Sequence, residues 1–142
     1  MGALGDSTLG NFAGAAYVFD LTTGAEVAKL LAYDGAPSDA MGVGVAISES
    51  HIVAGAFSSN ANGNQSGTAY VYDRGTFMQV ARLVPSDAQA FDRFGHSVAI
   101  DGESIFAGAF GFDNLSGAAY RFDAASLDPG SPSCFGRSCP CG

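Results

Sequence analysis

Short apolar and β-branched runs, punctuated by Gly, Ser, Asn and Asp, recur along the whole chain, a pattern of strands joined by tight turns. Ala15-Ala-Tyr-Val-Phe-Asp20 is a mostly apolar run, as expected of a strand buried on both faces. Leu21-Thr-Thr-Gly24 supplies a turn, because Gly adopts positive φ at little cost, and Ala25-Glu-Val-Ala-Lys-Leu-Leu-Ala32 returns as a strand in which Glu26 and Lys29 mark exposed positions. That pattern predicts a hairpin. Met41–Ile47 and His51–Phe57 predict a second, joined by Ser48-Glu-Ser50; Phe94–Ile100 and Ser104–Phe110 predict a third, joined by Asp101-Gly-Glu103. Residues 67–73, 78–84 and 117–123 predict three more strands.

The strands fall into a repeat. Gly14-Ala-Ala-Tyr-Val-Phe-Asp20, Gly67-Thr-Ala-Tyr-Val-Tyr-Asp73 and Gly117-Ala-Ala-Tyr-Arg-Phe-Asp123 lie 53 and 50 residues apart (14 to 67, 67 to 117). Residues 36–84 hold one complete unit of four successive strands. Met1-Gly-Ala-Leu4 aligns with Ala107-Gly-Ala-Phe110, the end of a second strand, so residues 1–35 are the rear part of a unit and residues 85–123 the front of another. Four-stranded meanders of about 50 residues repeated head to tail predict propeller blades. The expected fold class is all-β: consecutive four-stranded antiparallel meander blades of an incomplete β-propeller, occupying residues 1–123 as blade pieces 1–35, 36–84 and 85–123. Roughly two and a third blades cannot close a ring of typically 4–8. Missing blades of the same chain or self-association of copies are the two expectations, with edges at residues 1–4 and 117–123 in need of cover. Residues 124–142 read as a Pro- and Gly-bearing linker and a cysteine-containing tail. Cys134, Cys139 and Cys141 fit neither a four-ligand zinc site nor a fully paired set; an internal pair would join Cys134 to Cys139 or Cys141, and a partner beyond Gly142 is the alternative.

Phe94-Gly95 with Ser97-Val98-Ala99, followed by Ala107-Gly-Ala109, resembles the FG-GAP repeat of integrin α-subunit propellers and of many bacterial extracellular propellers. The resemblance covers nearly everything up to Asp123. It implies an extracellular or cell-surface, non-enzymatic scaffold with a ligand-docking face. It also implies Ca²⁺ in an Asp-x-Asp-x-Asp loop between strands one and two, but Ser48-Glu-Ser50 and Asp101-Gly-Glu103 are too short to supply six or more oxygens. No cofactor is therefore expected. Asn60-Ala-Asn62-Gly-Asn64 mimics the alternate spacing of a Ca²⁺ loop with neutral amides, which offset dehydration of a divalent ion poorly; Asn60, Asn62 and Asn64 are weak metal candidates, and a flexible turn is the plainer reading.

Charge and composition narrow the partners. Fourteen acidic against six basic residues give a net charge of −8, which disfavours phosphate backbones and anionic lipid surfaces. No apolar run reaches the roughly 20 residues of a membrane span, and no basic-then-apolar leader opens the chain. Strand alternation puts the loops after strands two and four, residues 5–13, 33–40, 58–66, 85–93 and 111–116, on one face. They carry Asp6 and the ligand-face candidates Asp34, Asp39, Asp87, Asp92 and Asp113, for a protein or glycan; solvated connections are the alternative. His51 and His96 align with Ser104 and Val43 and read as rim residues. Ser97 and Asp101 near His96 make no triad, since neighbours on a strand point to opposite faces and no Gly-x-Ser-x-Gly elbow is present. Asp20, Asp73 and Asp123 are expected to accept turn hydrogen bonds, and Tyr17, Tyr70 and Tyr120 to pack with tethered hydroxyls. No enzyme is indicated. The readings that compete with a binding module are a purely structural repeat of a larger secreted protein and a propeller enzyme whose site lies in other blades.

Overall fold

The computed structural model describes residues 1–3 and 5–124. They form three consecutive antiparallel sheets. The first comprises β1 (Gly2–Ala3), β2 (Ala15–Phe19) and β3 (Glu26–Leu30), in that order. The second is a complete meander of β4 (Met41–Ile47), β5 (His51–Ala56), β6 (Thr68–Asp73) and β7 (Gln79–Leu83). The third comprises β8 (Phe94–Asp101), β9 (Ser104–Ala109) and β10 (Ala118–Asp123). The chain is all-β, and its blades form no closed ring among the described residues. One turn of helix, α1 (Phe112–Leu115), sits in the loop between β9 and β10, too short to leave an apolar period in the sequence. The last described strand is β10, and the expected linker and cysteine tail lie, from residue 125 on, outside the described residues.

Alternation along β6 explains how the sheets stack. Tyr70 and Tyr72 point toward the first sheet and join Ala16, Leu30, Met41 and Ile52 in one core; Ala69 and Val71 point the other way and join Leu83, Phe94, Ile105 and Phe122 in a second. A strand with a sheet on either side is buried along nearly its whole length, and β6 is. The repeat of the same motif in β2 behaves differently: Ala15 and Ala16 are buried, Tyr17 and Val18 half-buried, and Phe19 exposed. Burial on both faces was the expectation for β2. Among the described residues the first sheet has a neighbouring sheet on one side, and the other face of the same sequence pattern is the more exposed.

The sheets touch through backbone as well as side chains. Gly2 and Gly55 occupy equivalent positions, and a Cβ on either would stand 1.7 Å from the carbonyl oxygen of Gly42 or Gly95 in the next sheet. The approach is met by a register shift in each first strand, between Met41 and Val45 and between Phe94 and Ser97, around glycines at φ +96° and +89°. Substitution Gly55→Ala is expected to destabilise by about 3 kcal/mol, since backbone must move on both sides of the seam. Gly5→Ala, where a Cβ meets nothing within 4 Å, is expected to stay within about 0.5 kcal/mol of the parent. Urea unfolding of the two variants measures the contrast.

Candidate functional site

The five long loops do share one face, and hydrogen bonds tie each to the next. Ser38 N donates to Asn11 O at 2.8 Å, Ser58 N to Asp39 O at 3.3 Å, Phe91 N to Asn64 O at 2.8 Å, and Gly111 N to Asp92 O at 3.0 Å. Backbone groups that a loop would leave to water are thereby paired across the rim. The geometry requires left-handed backbone at non-glycine residues. Phe12, Gln65 and Leu115 stand two residues before the repeated Gly14, Gly67 and Gly117, with φ of 56°, 52° and 74°; Phe91 repeats Ser38 at 68° and 72°. Such conformations cost about 1–3 kcal/mol each and persist where surrounding structure imposes them. One consequence is that Phe12, Phe91 and Leu115 project outward, 61, 52 and 73% exposed.

The acidic candidates divide into two sets. Asp39 and Asp92, equivalent in the repeat, are 6 and 5% exposed. Each carboxylate turns inward and accepts a backbone N–H from three residues earlier, Ala36 N to Asp39 at 2.9 Å and Gln89 N to Asp92 at 2.7 Å. Burial pushes the Asp39 carboxyl above its ordinary range. Asp34, Asp87 and Asp113 are at the surface. Asp34 pairs with Arg82, and Asp87 accepts the Tyr120 hydroxyl at 2.9 Å. Asp6 accepts the Tyr17 hydroxyl at 2.7 Å and the Thr8 N–H at 2.9 Å, and lies 2.8 Å from Lys29 Nζ. The Lys29 ammonium, followed by the Thr8 bonds, holds the Asp6 carboxyl well below the usual carboxylate range. The register explains the recurrence: Tyr17 lies opposite Lys29, and Tyr70 opposite Arg82, on paired third and fourth strands. An aspartate from an adjoining loop braces each tyrosine, with Asp34 bonded to Tyr70, whose hydroxyl is pushed up chiefly by burial.

The remaining candidates are structural or dispersed. Asp20 accepts Thr22 N at 2.7 Å, and Asp73 accepts Gly75 N at 2.7 Å and Thr76 N at 2.9 Å; those backbone bonds lower the Asp73 carboxyl. Asn60 Oδ1 is taken by Gln65 N at 2.8 Å, and Asn62 N donates to Ser66 Oγ, so that segment binds its own loop. His51 sits at the opposite rim with Nδ1 2.9 Å from Ser50 Oγ and 3.9 Å from Glu103. His96 is exposed between Phe57 and Phe110, edge-on to both, with the Arg93 guanidinium over Phe110 at 5.2 Å. This aromatic cluster and the outward Phe12, Phe91 and Leu115 escaped the sequence reading. The signal for two of them was a fixed offset of two residues from the repeated glycine. No three His, Cys, Asp or Glu groups meet in a metal-binding arrangement, and no helix is long and apolar enough to cross a membrane, among the described residues.

A cleft of about 860 Å³ opens on the other face, between the first two sheets, lined by Val18, Phe19, Val45, Ile47 and Phe77 with Arg74 near its mouth. The corresponding space between the second and third sheets holds the buried Val53.

The family model described as FG-GAP repeat matches residues 25–72 and 77–122. The chain belongs to the FG-GAP repeat family. Each matched FG-GAP unit runs from the fourth strand of one sheet through the first three of the next, so the unit of sequence straddles the seam between blades. Comparison with curated proteins gives no match.

The acid branch of stability follows from these carboxylates. Asp6 and Asp73 have folded-state values below their unfolded ones, so the unfolded chain binds more protons and stability falls as pH drops below about 4. Asp39, raised by burial, acts in the opposite direction. Between about pH 7 and pH 3, the thermal midpoint of the parent is expected to fall more steeply than that of an Asp6→Asn, Asp73→Asn double variant, whereas Asp39→Asn is expected to steepen the fall.

Proposed function

We propose that the chain is a non-catalytic segment of an extracellular or cell-surface FG-GAP propeller, whose loop-rich face contacts a protein or glycan. The observation that carries this reading is the cross-tied band of five loops. It holds large apolar side chains outward on strained backbone, and strain of this kind collects where a surface has a task beyond folding. The aspartates on that face are divided accordingly: Asp39 and Asp92 set loop shape, and Asp34, Asp87 and Asp113 present exposed carboxylates to a ligand, the first two while bonded to Arg82 and Tyr120. Residues 1–123 form the propeller part in this reading, with 124–142 as linker and tail.

An array of purified matrix proteins and printed glycans tests the proposal. The chain is expected to give a saturable signal that falls at least about tenfold in Phe91→Ser and in Asp113→Ala. Both variants should unfold within about 2 °C of the parent. No saturable spot, or a signal that both variants retain in full, would leave the purely structural repeat as the correct account.

A further inference from the structure

The repeat supplies an internal comparison at the loop face. Phe12 and Ala40, at the seam of the first two sheets, correspond to Gln65 and Arg93 at the seam of the second and third. The backbone is the same at both. Phe12 O accepts the Ala40 amide at 3.0 Å, and Gln65 O accepts the Arg93 amide at 3.0 Å. All four residues are left-handed, with φ of 56, 57, 52 and 56° in the order Phe12, Ala40, Gln65 and Arg93. The side chains differ. Phe12, Ala40 and Val43 at the first seam give way to Gln65, Arg93 and His96 at the second. Since the same backbone forms with Ala40, the scaffold does not require that polar set.

Arg93 is held as a fixed fork. Its Nε donates to Gln65 Oε1 at 3.3 Å, and its guanidinium lies over the Phe110 ring at 5.2 Å. A tether at one end and a ring beneath restrain a long side chain in advance of any contact. Among the described residues its two terminal amino groups make no hydrogen bond and no carboxylate pairs with it, whereas Lys29 and Arg82 are paired with Asp6 and Asp34. A planar guanidinium with both amino groups open matches a carboxylate through two parallel bonds. Beside it the exposed His96 ring stands 5.3 and 4.7 Å from the rings of Phe57 and Phe110. Such a cluster offers an apolar surface with a polar handle, the complement of a sugar ring that has a C–H face and a hydroxyl rim.

The surroundings select further. Asp34, Asp87 and Asp113 are exposed on the same face and the chain carries a net charge of −8, so a polyanion is repelled while one isolated carboxylate among neutral hydroxyls is admitted. An extended peptide would bind through main-chain hydrogen bonds, and the amides at this seam are committed: Phe91, Arg93, Phe94 and Gly111 donate to the carbonyls of Asn64, Gln65, Ser66 and Asp92. We propose that Gln65, Arg93 and His96, with Phe57 and Phe110, form a subsite for a terminal acidic sugar. The Arg93 fork takes its single carboxylate and the aromatic cluster takes the C–H face of its ring. The subsite rests on the reading of the loop face as a contact surface and names the class of its ligand.

Titration of the isotope-labelled full chain with methyl β-D-glucuronide, followed by NMR at the Arg93 Nε–H and the ring protons of Phe57 and Phe110, tests this. A saturable shift at millimolar ligand is expected. Binding is expected to be at least about tenfold weaker for methyl β-D-glucoside, which lacks the carboxylate, and at least about fivefold weaker in Arg93→Lys, which keeps the charge and loses the fork. Arg93→Ala restores the residue of the first seam; it is expected to fold as the parent does and to bind the two sugars alike. Four results would overturn the subsite: no shift with the glucuronide, equal binding of both sugars by the parent, selectivity that survives in Arg93→Ala, or an equal response to sodium acetate. Tighter binding of N-acetyl-aspartyl amide than of the glucuronide would also overturn it and assign the fork to an acidic peptide. A silent titration beside an array that yields a neutral ligand overturns the subsite alone; a silent titration beside an empty array overturns the loop-face reading as well.

Discussion

Backbone pressed against backbone at the glycine seams is the constraint on which the rest of this structure depends. Gly55 and Gly95 come so close that no side chain fits between them, and Gly67 meets the main chain of Phe94 with the same intimacy. The spacing between sheets is thereby fixed, and with it the depth to which Phe94 enters the core beside Val71 and Phe122. Side chains then fill what the seam leaves. Val53 is one such filler, buried between the second and third sheets.

The seam also organises the face that bears the long loops. A first strand that enters against the preceding sheet brings its loop alongside that sheet's own loop, and the hydrogen bonds from Ala40 to Phe12 and from Arg93 to Gln65 are the result. Left-handed Phe12 and Gln65 accompany that docking, their carbonyls accepting the Ala40 and Arg93 amides. The aspartates on the same face answer to two demands. Asp39 and Asp92 close the loop on itself, and Asp34, Asp87 and Asp6 steady tyrosines of the third strands, two of them with a cation from a fourth strand. Surface ion pairs of this kind contribute little to stability singly. Their value here is positional, holding loop and strand in one arrangement in each sheet.

Much of this was legible in the sequence. All the strands after residue 14 lie where the apolar runs placed them, because alternation and turn residues are local signals that each repeat states anew. The turn-capping roles of Asp20 and Asp73 were legible for the same reason, being bonds to residues two and three positions on. The division of the face aspartates was not legible. Asp34 and Asp39 are five residues apart with similar neighbours, and only the fold of their loop sends one to solvent and the other inward. The cluster of Phe57, His96 and Phe110 was hidden too, since its members come from β8 and from the turns that follow β5 and β9, in two sheets.

The sequence by itself determined the repeat, the all-β class, the order of strands and the FG-GAP character, because each rests on spacing along a single chain. The tertiary structure alone decided which glycines meet the backbone of the next sheet, which carboxylates are struts and which large side chains face water. Those properties depend on distances of a few ångströms between residues some 27 to 53 positions apart, such as Gly67 with Phe94 and Ser50 with Glu103. No local pattern encodes them.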